Sequence, residues 1–85
     1  KAALVLSRAV SLGLSMAENG ERDAEKILRA MTDLIEQEPL AKIDYVKAVD
    51  ASNITPVNEM TGEVLIAMAV YIGSTRLIDN FIYKS

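Results

Sequence analysis

The segment Gly73-Ser74-Thr75-Arg76-Leu77-Ile78-Asp79-Asn80 follows directly on the apolar run at residues 64–72, and together they decide the fold. Residues 64–72 are apolar at both alternating sets of positions, which is typical of a central strand, and Gly73-Ser74 is suited to a tight two-residue hairpin. Residues 75–83 are then predicted to form the return strand. An alternative interpretation makes residues 64–72 a buried helix, because periodicity alone does not separate the two, but we favour the strand.

A two-residue turn also fixes which residues of the hairpin lie opposite one another. The predicted pairs are Ile72 with Thr75, Tyr71 with Arg76, Met68 with Asp79, and Ala67 with Asn80. One face then carries Val64, Ile66, Met68, Val70 and Ile72 with Thr75, Leu77, Asp79 and Phe81. The other carries Leu65, Ala67, Ala69 and Tyr71 with Arg76, Ile78, Asn80 and Ile82. Because the first face is the bulkier and more apolar, we expect it to meet the helices.

Two helices are predicted upstream of the sheet. Apolar residues recur at helical spacing over residues 2–17 and again over residues 24–35, with charged residues between them. Asn19-Gly20 is expected to end the first helix, since glycine accepts a left-handed conformation. Asp23 is expected to cap the second helix, and Pro39 to end it. The two elements are therefore predicted to form an antiparallel helical hairpin.

After Pro39 the period of the apolar pattern changes from 3.6 to 2. Residues 43–49 are predicted to form the first strand, with Ile43, Tyr45 and Val49 on one side and Val46 and Ala48 on the other. Residues 50–62 are a loop by composition. The whole order predicts one α+β domain over residues 1–85, in which a two-helix hairpin (1–38) packs on a small three-stranded antiparallel β-sheet (43–83).

Polar residues in the return strand need separate explanations, because Arg76 and Asp79 fall on opposite faces. Asp79 lies on the apolar face, where an unpaired carboxylate is costly, so we expect it to accept hydrogen bonds from backbone N–H groups or from Thr75. Asp79 and Thr75 are therefore interpreted as a structural anchor. The alternative for Asp79 is a contact with another domain.

Arg76 lies beside Tyr71 and Asn80 on the shallower face. In one interpretation its guanidinium stacks on the Tyr71 ring and its stem covers apolar surface. In the other, these residues contact a neighbouring domain or an anionic ligand, because arginine donates in a fork that fits carboxylate and phosphate. Tyr71, Arg76 and Asn80 are our candidates for an interface.

The composition excludes several classes of function for these residues. With 9 basic and 12 acidic residues the net charge is −3 and no basic cluster is present, so nucleic acid is not an expected partner. Histidine and cysteine are absent, and no glycine-rich phosphate loop follows a strand, so we expect no catalytic residue and no metal site here. The apolar run at 64–72 is about half of the roughly 20 residues that a membrane span needs. A cytoplasmic location is expected.

The pattern of residues resembles one enzyme family. Thr75-Arg76-Leu77-Ile78-Asp79-Asn80 after Gly73, Ile43-Asp44-Tyr45 through Asp50, and Pro56-Val57 are similar to the C-terminal domain of the pantoate-β-alanine ligases, also called pantothenate synthetases. The similarity covers all 85 residues; the hexapeptide is the most distinctive part, and Gly20, Arg22 and Asp23 agree more loosely. The loop after Asp50 departs, since the family commonly has a proline and an acidic residue before a leucine where this chain has Ala51-Ser52-Asn53-Ile54.

The resemblance implies an ATP-dependent ligase that condenses pantoate with β-alanine through pantoyl adenylate, with magnesium on the phosphates, in pantothenate and coenzyme A biosynthesis. It implies that paired histidines and most ATP and pantoate contacts belong to an N-terminal nucleotide-binding domain, with a Ser-Ser-Arg element just before Lys1. A start without methionine fits such upstream sequence. For these residues the resemblance implies a lid, and the Tyr71, Arg76 and Asn80 face is our candidate for the surface that meets the catalytic domain. Alone, they are expected to be inactive and to bind no cofactor.

Two other function classes stay open at this point. One is a non-enzymatic interaction module that uses the Tyr71, Arg76 and Asn80 face to bind a separate protein. The other is an independent small enzyme, which the missing histidine and phosphate loop disfavour. Upstream sequence with paired histidines and Ser-Ser-Arg would distinguish the ligase from the interaction module.

Overall fold

Two helices precede three strands in the computed structural model, which describes residues 4–84. The elements are α1 (Leu4–Glu18), α2 (Ala24–Glu36), β1 (Ala41–Asp50), β2 (Glu63–Ile72) and β3 (Thr75–Lys84). The strands form one antiparallel sheet in the order β1-β2-β3, and the helices pack on one side of it. The predicted α+β class, a two-helix hairpin on a three-stranded antiparallel sheet, is confirmed.

The β2–β3 hairpin has the predicted register. Each of the four expected pairs is present, from Ile72 opposite Thr75 to Ala67 opposite Asn80. Gly73 takes φ +63°, a conformation that a β-carbon would disfavour, and its N–H donates to the Leu40 carbonyl at 3.3 Å. The alternative of a buried helix at residues 64–72 is wrong.

Local capping explains where the helices end. After α1, the Gly20 N–H donates to the Ala17 carbonyl at 3.1 Å and the Glu21 N–H to the Met16 carbonyl at 3.0 Å, with Gly20 at φ +103°. This is a Schellman cap, as the Asn19-Gly20 pair predicted. The first predicted helical residue, Ala2, lies outside the described residues.

At the start of α2, Asp23 Oδ1 accepts from the N–H groups of Glu25 at 3.0 Å and Lys26 at 3.4 Å. The predicted cap is therefore confirmed. The helix ends at Glu36 rather than at residue 38, because the chain tightens before Pro39: the Glu38 N–H donates to the Ile35 carbonyl at 3.0 Å, a three-residue spacing.

The hydrophobic core lies between the helices and the face of the sheet that the sequence assigned to it. The contributors are Val5, Leu6, Ala9 and Ala17 of α1, Ala24, Ile27, Met31 and Ile35 of α2, and Ala48, Val64, Ile66, Met68 and Val70 of the sheet. Helix α1 covers β3, and α2 covers β1. Met60, in the loop before β2, is also fully buried, and the sequence analysis did not foresee it.

A bulge in β1 corrects one assignment. The sequence analysis placed Ile43, Tyr45 and Val49 on the same side, which is wrong for Ile43. Ile43 lies opposite Val70, and Tyr45 lies opposite the adjacent Ala69. Asp44 is therefore an extra residue with no β2 residue opposite it. The extra residue shifts the alternation by one position. Ile43 therefore packs against the core, while Tyr45 is on the side of the sheet away from the helices.

The loop between β1 and β2 is held by short-range hydrogen bonds. Asp50 Oδ1 accepts from the Ser52 N–H at 2.8 Å, and the Asp50 N–H donates to the Thr55 carbonyl at 2.7 Å. Ile54 has φ +60°, which is uncommon for a β-branched residue, and its side chain is exposed. The loop that departs from the family pattern is thus a defined turn.

Gly13 marks the closest approach of α1 to the rest of the core. A β-carbon built there would lie 2.5 Å from Met31 Sδ and 3.2 Å from the Phe81 ring. We expect Gly13→Val to lower the free energy of unfolding by about 1–3 kcal/mol, because overpacking forces these side chains off their rotamers. Urea unfolding measures the change. Ser11→Val adds the same residue on the exposed side of α1 and is the control; equal losses in the two variants would contradict the overpacking argument.

Candidate functional site

The side of the sheet away from the helices, which we call the open face, carries most of the residues that the sequence singled out. From β1 to β3 its rows are Lys42, Tyr71 and Arg76; Tyr45, Ala69 and Ile78; Lys47, Ala67 and Asn80; Val49, Leu65 and Ile82; and finally Glu63 with Lys84. Ala69 is fully buried yet lies outside the main core cluster, so larger neighbours on the open face cover it.

Arg76 is tied to Asp44 by an ion pair that crosses the open face. Arg76 Nε at 3.2 Å and Nη2 at 3.0 Å both donate to Asp44 Oδ2. Since Asp44 is on β1 and Arg76 on β3, the pair passes over the central strand β2. The hydrogen bond to Asp44 raises the pKa of the Arg76 guanidinium, and the negative charge of the same carboxylate adds to the effect.

The ion pair leaves part of the guanidinium available. Its Nη1 atom has no hydrogen-bond partner within residues 4–84, and the two paired side chains are 39% and 41% exposed. A pair of this exposure contributes little to stability, because water and salt screen it. Its main effect is to hold the guanidinium in one orientation, with a donor edge directed away from Asp44.

The three candidate interface residues share the open face but do not form one cluster. Tyr71 and Arg76 lie directly opposite each other, whereas Asn80 is two rows further along, roughly 13 Å at about 3.3 Å per residue. Ile78 lies between them. Arg76 is paired with Asp44, and no cation–π contact joins it to Tyr71 among the described residues. Whether the three residues meet another domain stays a prediction.

Sequence reasoning missed Asp44 as the partner of Arg76. A bulge depends on how two strands pair, and nothing in the local alternation of β1 reveals it. The available signal was an acidic residue at position 44 inside a strand that otherwise favours β-branched and aromatic residues.

Asp79 lies on the helix side of β3, opposite Met68, as the register required. Its Oδ1 accepts a hydrogen bond from the neighbouring Asn80 N–H at 2.8 Å. The residue is only half-buried, so the expected cost of an enclosed carboxylate is reduced by solvent. Thr75 is exposed at the turn and forms no hydrogen bond with Asp79 in the described part of the chain.

A second polar cluster surrounds Arg22, between the two helices. Arg22 Nη1 donates to the carbonyls of Ala17 at 2.9 Å and Glu21 at 3.0 Å, and Nη2 donates to the Tyr83 hydroxyl at 3.4 Å. The guanidinium carbon is also 5.5 Å from the Tyr83 ring centroid. An open cleft of about 400 Å³ lies nearby, lined by Arg22, Asp23, Glu25, Asn58 and Glu59. Since Arg22 binds carbonyls at the end of α1, its role is structural.

The described residues contain neither an acidic metal cluster nor a membrane-spanning helix. Among residues 4–84, no group of three or more acidic side chains is arranged to hold a metal ion. Neither helix of the described chain is long and apolar enough to cross a membrane.

Comparison with known proteins assigns the family. The model of the family described as pantoate-beta-alanine ligase matches residues 1–82. This chain belongs to the pantoate-β-alanine ligase family. The match covers both helices and nearly the whole sheet, including the Asp44 bulge and the hairpin that carries Arg76. The resemblance expected from those residues is thereby confirmed.

Individual relatives of this ligase family agree. The pantothenate synthetase of Ruminiclostridium cellulolyticum is 52% identical over 81 residues, which are 95% of this chain and 29% of that protein. The one from Heliobacterium modesticaldum is 51% identical over 84 residues, which are 99% of this chain and 30% of that protein. A crystal structure of pantothenate synthetase from Thermus thermophilus superimposes with a TM-score of 0.81 at 26% identity, covering 91% of this chain and 28% of that one. The chain spans about 30% of the length of these relatives, consistent with a C-terminal domain fragment.

Asp44→Asn tests whether the carboxylate orients Arg76, since it removes the charge and keeps the shape. We expect the domain to stay folded with little change in its unfolding midpoint, the pKa of Arg76 to fall, and the Arg76 Nε–H signal in ¹H–¹⁵N spectra to shift and exchange faster with water. Glu25→Gln, which breaks the exposed pair with Arg29 at 3.6 Å, is the matched control. An Arg76 signal that is the same in both variants would show that the pair does not restrain the guanidinium.

Proposed function

We propose that this chain is the C-terminal domain of an ATP-dependent ligase that condenses pantoate and β-alanine to pantothenate through a pantoyl adenylate. The observation that carries the proposal is the family match over residues 1–82 in a chain about 30% as long as its pantothenate synthetase relatives. The reacting groups are proposed to lie in the N-terminal part of the full-length enzyme. The same kinship supports a cytoplasmic biosynthetic enzyme.

ATP and magnesium do not fit the described residues. No set of carboxylates suited to a metal ion occurs among them, and their glycines are scattered at positions 13, 20, 62 and 73 rather than grouped in a phosphate loop. Both groups are therefore assigned to the rest of the enzyme. What this chain contributes is a surface, not a reactive side chain.

The proposed contribution is that of a lid. A mixed anhydride of pantoate and AMP is open to attack by water, so an enzyme that forms it gains from closing the site during the reaction. The open face supports this role, because it exposes Tyr71, Ile78 and Ile82 together with an oriented guanidinium. The helix side of the sheet is already occupied by α1 and α2. The open face is therefore the surface proposed to meet the catalytic domain.

Arg76→Ala in the full-length protein tests this role. We expect pantothenate formation to fall several-fold while the domain remains folded, because the residue is exposed on the open face and makes no core contact. Steady-state assays give the turnover, and circular dichroism reports folding. Arg29→Ala removes an exposed arginine from α2 and is expected to leave turnover unchanged. Unchanged turnover in Arg76→Ala would remove Arg76 from the mechanism.

The function itself is tested with pantoate, β-alanine and ATP. We expect the full-length protein to form pantothenate and the isolated 85-residue chain to form none. Titration calorimetry of the isolated chain with ATP and with pantoate is expected to show no binding, since the groups that contact both are proposed to lie in the N-terminal part. A full-length protein without ligase activity would overturn the proposed function. Binding by the isolated chain would overturn the assignment of the reacting groups to the N-terminal part.

A further inference from the structure

The open face has a charge opposite to that of the rest of the chain. It carries four basic side chains, Lys42, Lys47, Arg76 and Lys84, and two acidic ones, Asp44 and Glu63, which is a net of +2. The whole chain carries −3, so the other residues together carry −5. A surface that approaches the open face meets positive charge, and favourable association requires a negative one.

The same face also exposes large apolar side chains. Six large apolar side chains within residues 4–84 are exposed, and three of them lie here: Tyr71 at 39%, Ile78 at 59% and Ile82 at 51%. They border the row of small residues Ala67 and Ala69 on the central strand. Apolar groups with charged groups around them are typical of a contact surface.

The basic groups on this face have spare donors. Arg76 uses Nε and Nη2 for Asp44, which leaves Nη1 without a partner in the described chain. Lys47 Nζ lies 4.8 Å from the Tyr45 ring centroid, and neither Lys47 nor Lys42 has a carboxylate partner within residues 4–84. By contrast, Lys84 is within 3.9 Å of Glu63. Three cationic groups are thus available to carboxylates from outside.

The size of the face decides between a second copy and the rest of the same protein. Three strands about 4.8 Å apart and ten residues long, at about 3.3 Å per residue, give a face on the order of 450 Å². A contact through it would bury roughly 900 Å² in total, below the roughly 1,200 Å² of a stable complex between separate proteins. It is within the roughly 600–1,500 Å² of contacts between domains of one chain. The covalent link between two domains raises their effective concentration, so that a contact of this smaller area is sufficient.

We propose that the open face docks on a surface elsewhere in the same protein, outside these 85 residues, that is apolar at its centre and carries carboxylates at its rim. Those carboxylates pair with Lys42, Lys47 and Nη1 of Arg76. The proposal rests on the proposed function in one respect: it takes this chain to be one domain of a longer enzyme. It adds the sign of the charge on the partner surface and the residues that contact it.

Zero-length cross-linking of the full-length protein with a carbodiimide tests the proposal, because this reagent joins an ammonium to a carboxylate in contact with it. We expect Lys42 or Lys47 to be joined to Asp or Glu residues outside the 85-residue segment, within a single copy when ¹⁴N- and ¹⁵N-labelled proteins are mixed. We also expect both lysines to be acetylated several-fold more slowly than Lys26, an exposed lysine on α2. Cross-links between copies, or acetylation of both lysines as fast as Lys26, would overturn the proposal.

Charge reversal gives an independent measurement. In the full-length protein we expect Lys47→Glu to restore rapid acetylation of Lys42 and to lower turnover several-fold, more strongly at low ionic strength. Lys26→Glu makes the same change of charge on α2 and should alter neither. Equal behaviour of the two variants would show that the partner surface is not acidic. Because acetylation does not depend on the reaction, a protein without ligase activity would refute the proposed function and leave the docking result interpretable.

Discussion

The pairing of β2 with β3 through a two-residue turn is the constraint on which the rest of the structure depends. It places Val64, Ile66, Met68 and Val70 under the helices and Arg76, Ile78 and Ile82 on the opposite side. A slip of β3 by one residue would move Arg76 to the helix side of the sheet and expose Leu77 and Phe81, which pack against the core. Burial of the helix side therefore also holds the open face in its arrangement.

The bulge at Asp44 turns that arrangement into an oriented site. Without an extra residue in β1, Ile43 and Tyr45 would share a face. With it, Ile43 joins the core, Tyr45 joins the open face, and Asp44 reaches Arg76 across the central strand. One inserted residue thus allows β1 to contribute to both the core and the open face. Bulges near functional surfaces commonly redirect a side chain in this way.

The two sides of the sheet also differ in how completely their apolar side chains are buried. The helix side is buried and closely packed, with a glycine at the point where α1 approaches Met31 and Phe81. The open side exposes large apolar groups beside Lys42 and Lys47, which have no carboxylate partner within residues 4–84. Since a chain of 85 residues has only one small core, a neighbour that covered this side would add to its stability. Membership of a ligase family whose proteins are much longer fits such a neighbour.

The sequence alone determined the features that arise from short-range physics. Alternation along residues 64–72, the Gly73-Ser74 turn and the Asp23 cap each depend on neighbours a few positions away, and each was predictable. The tertiary structure alone decided the bulge at Asp44, its ion pair with Arg76 32 residues later, the Arg22–Tyr83 contact and the burial of Met60. Those features depend on which distant segments lie side by side, and local periodicity does not reveal this. Each of them is stabilised by packing that exists only once the helices and the sheet have assembled.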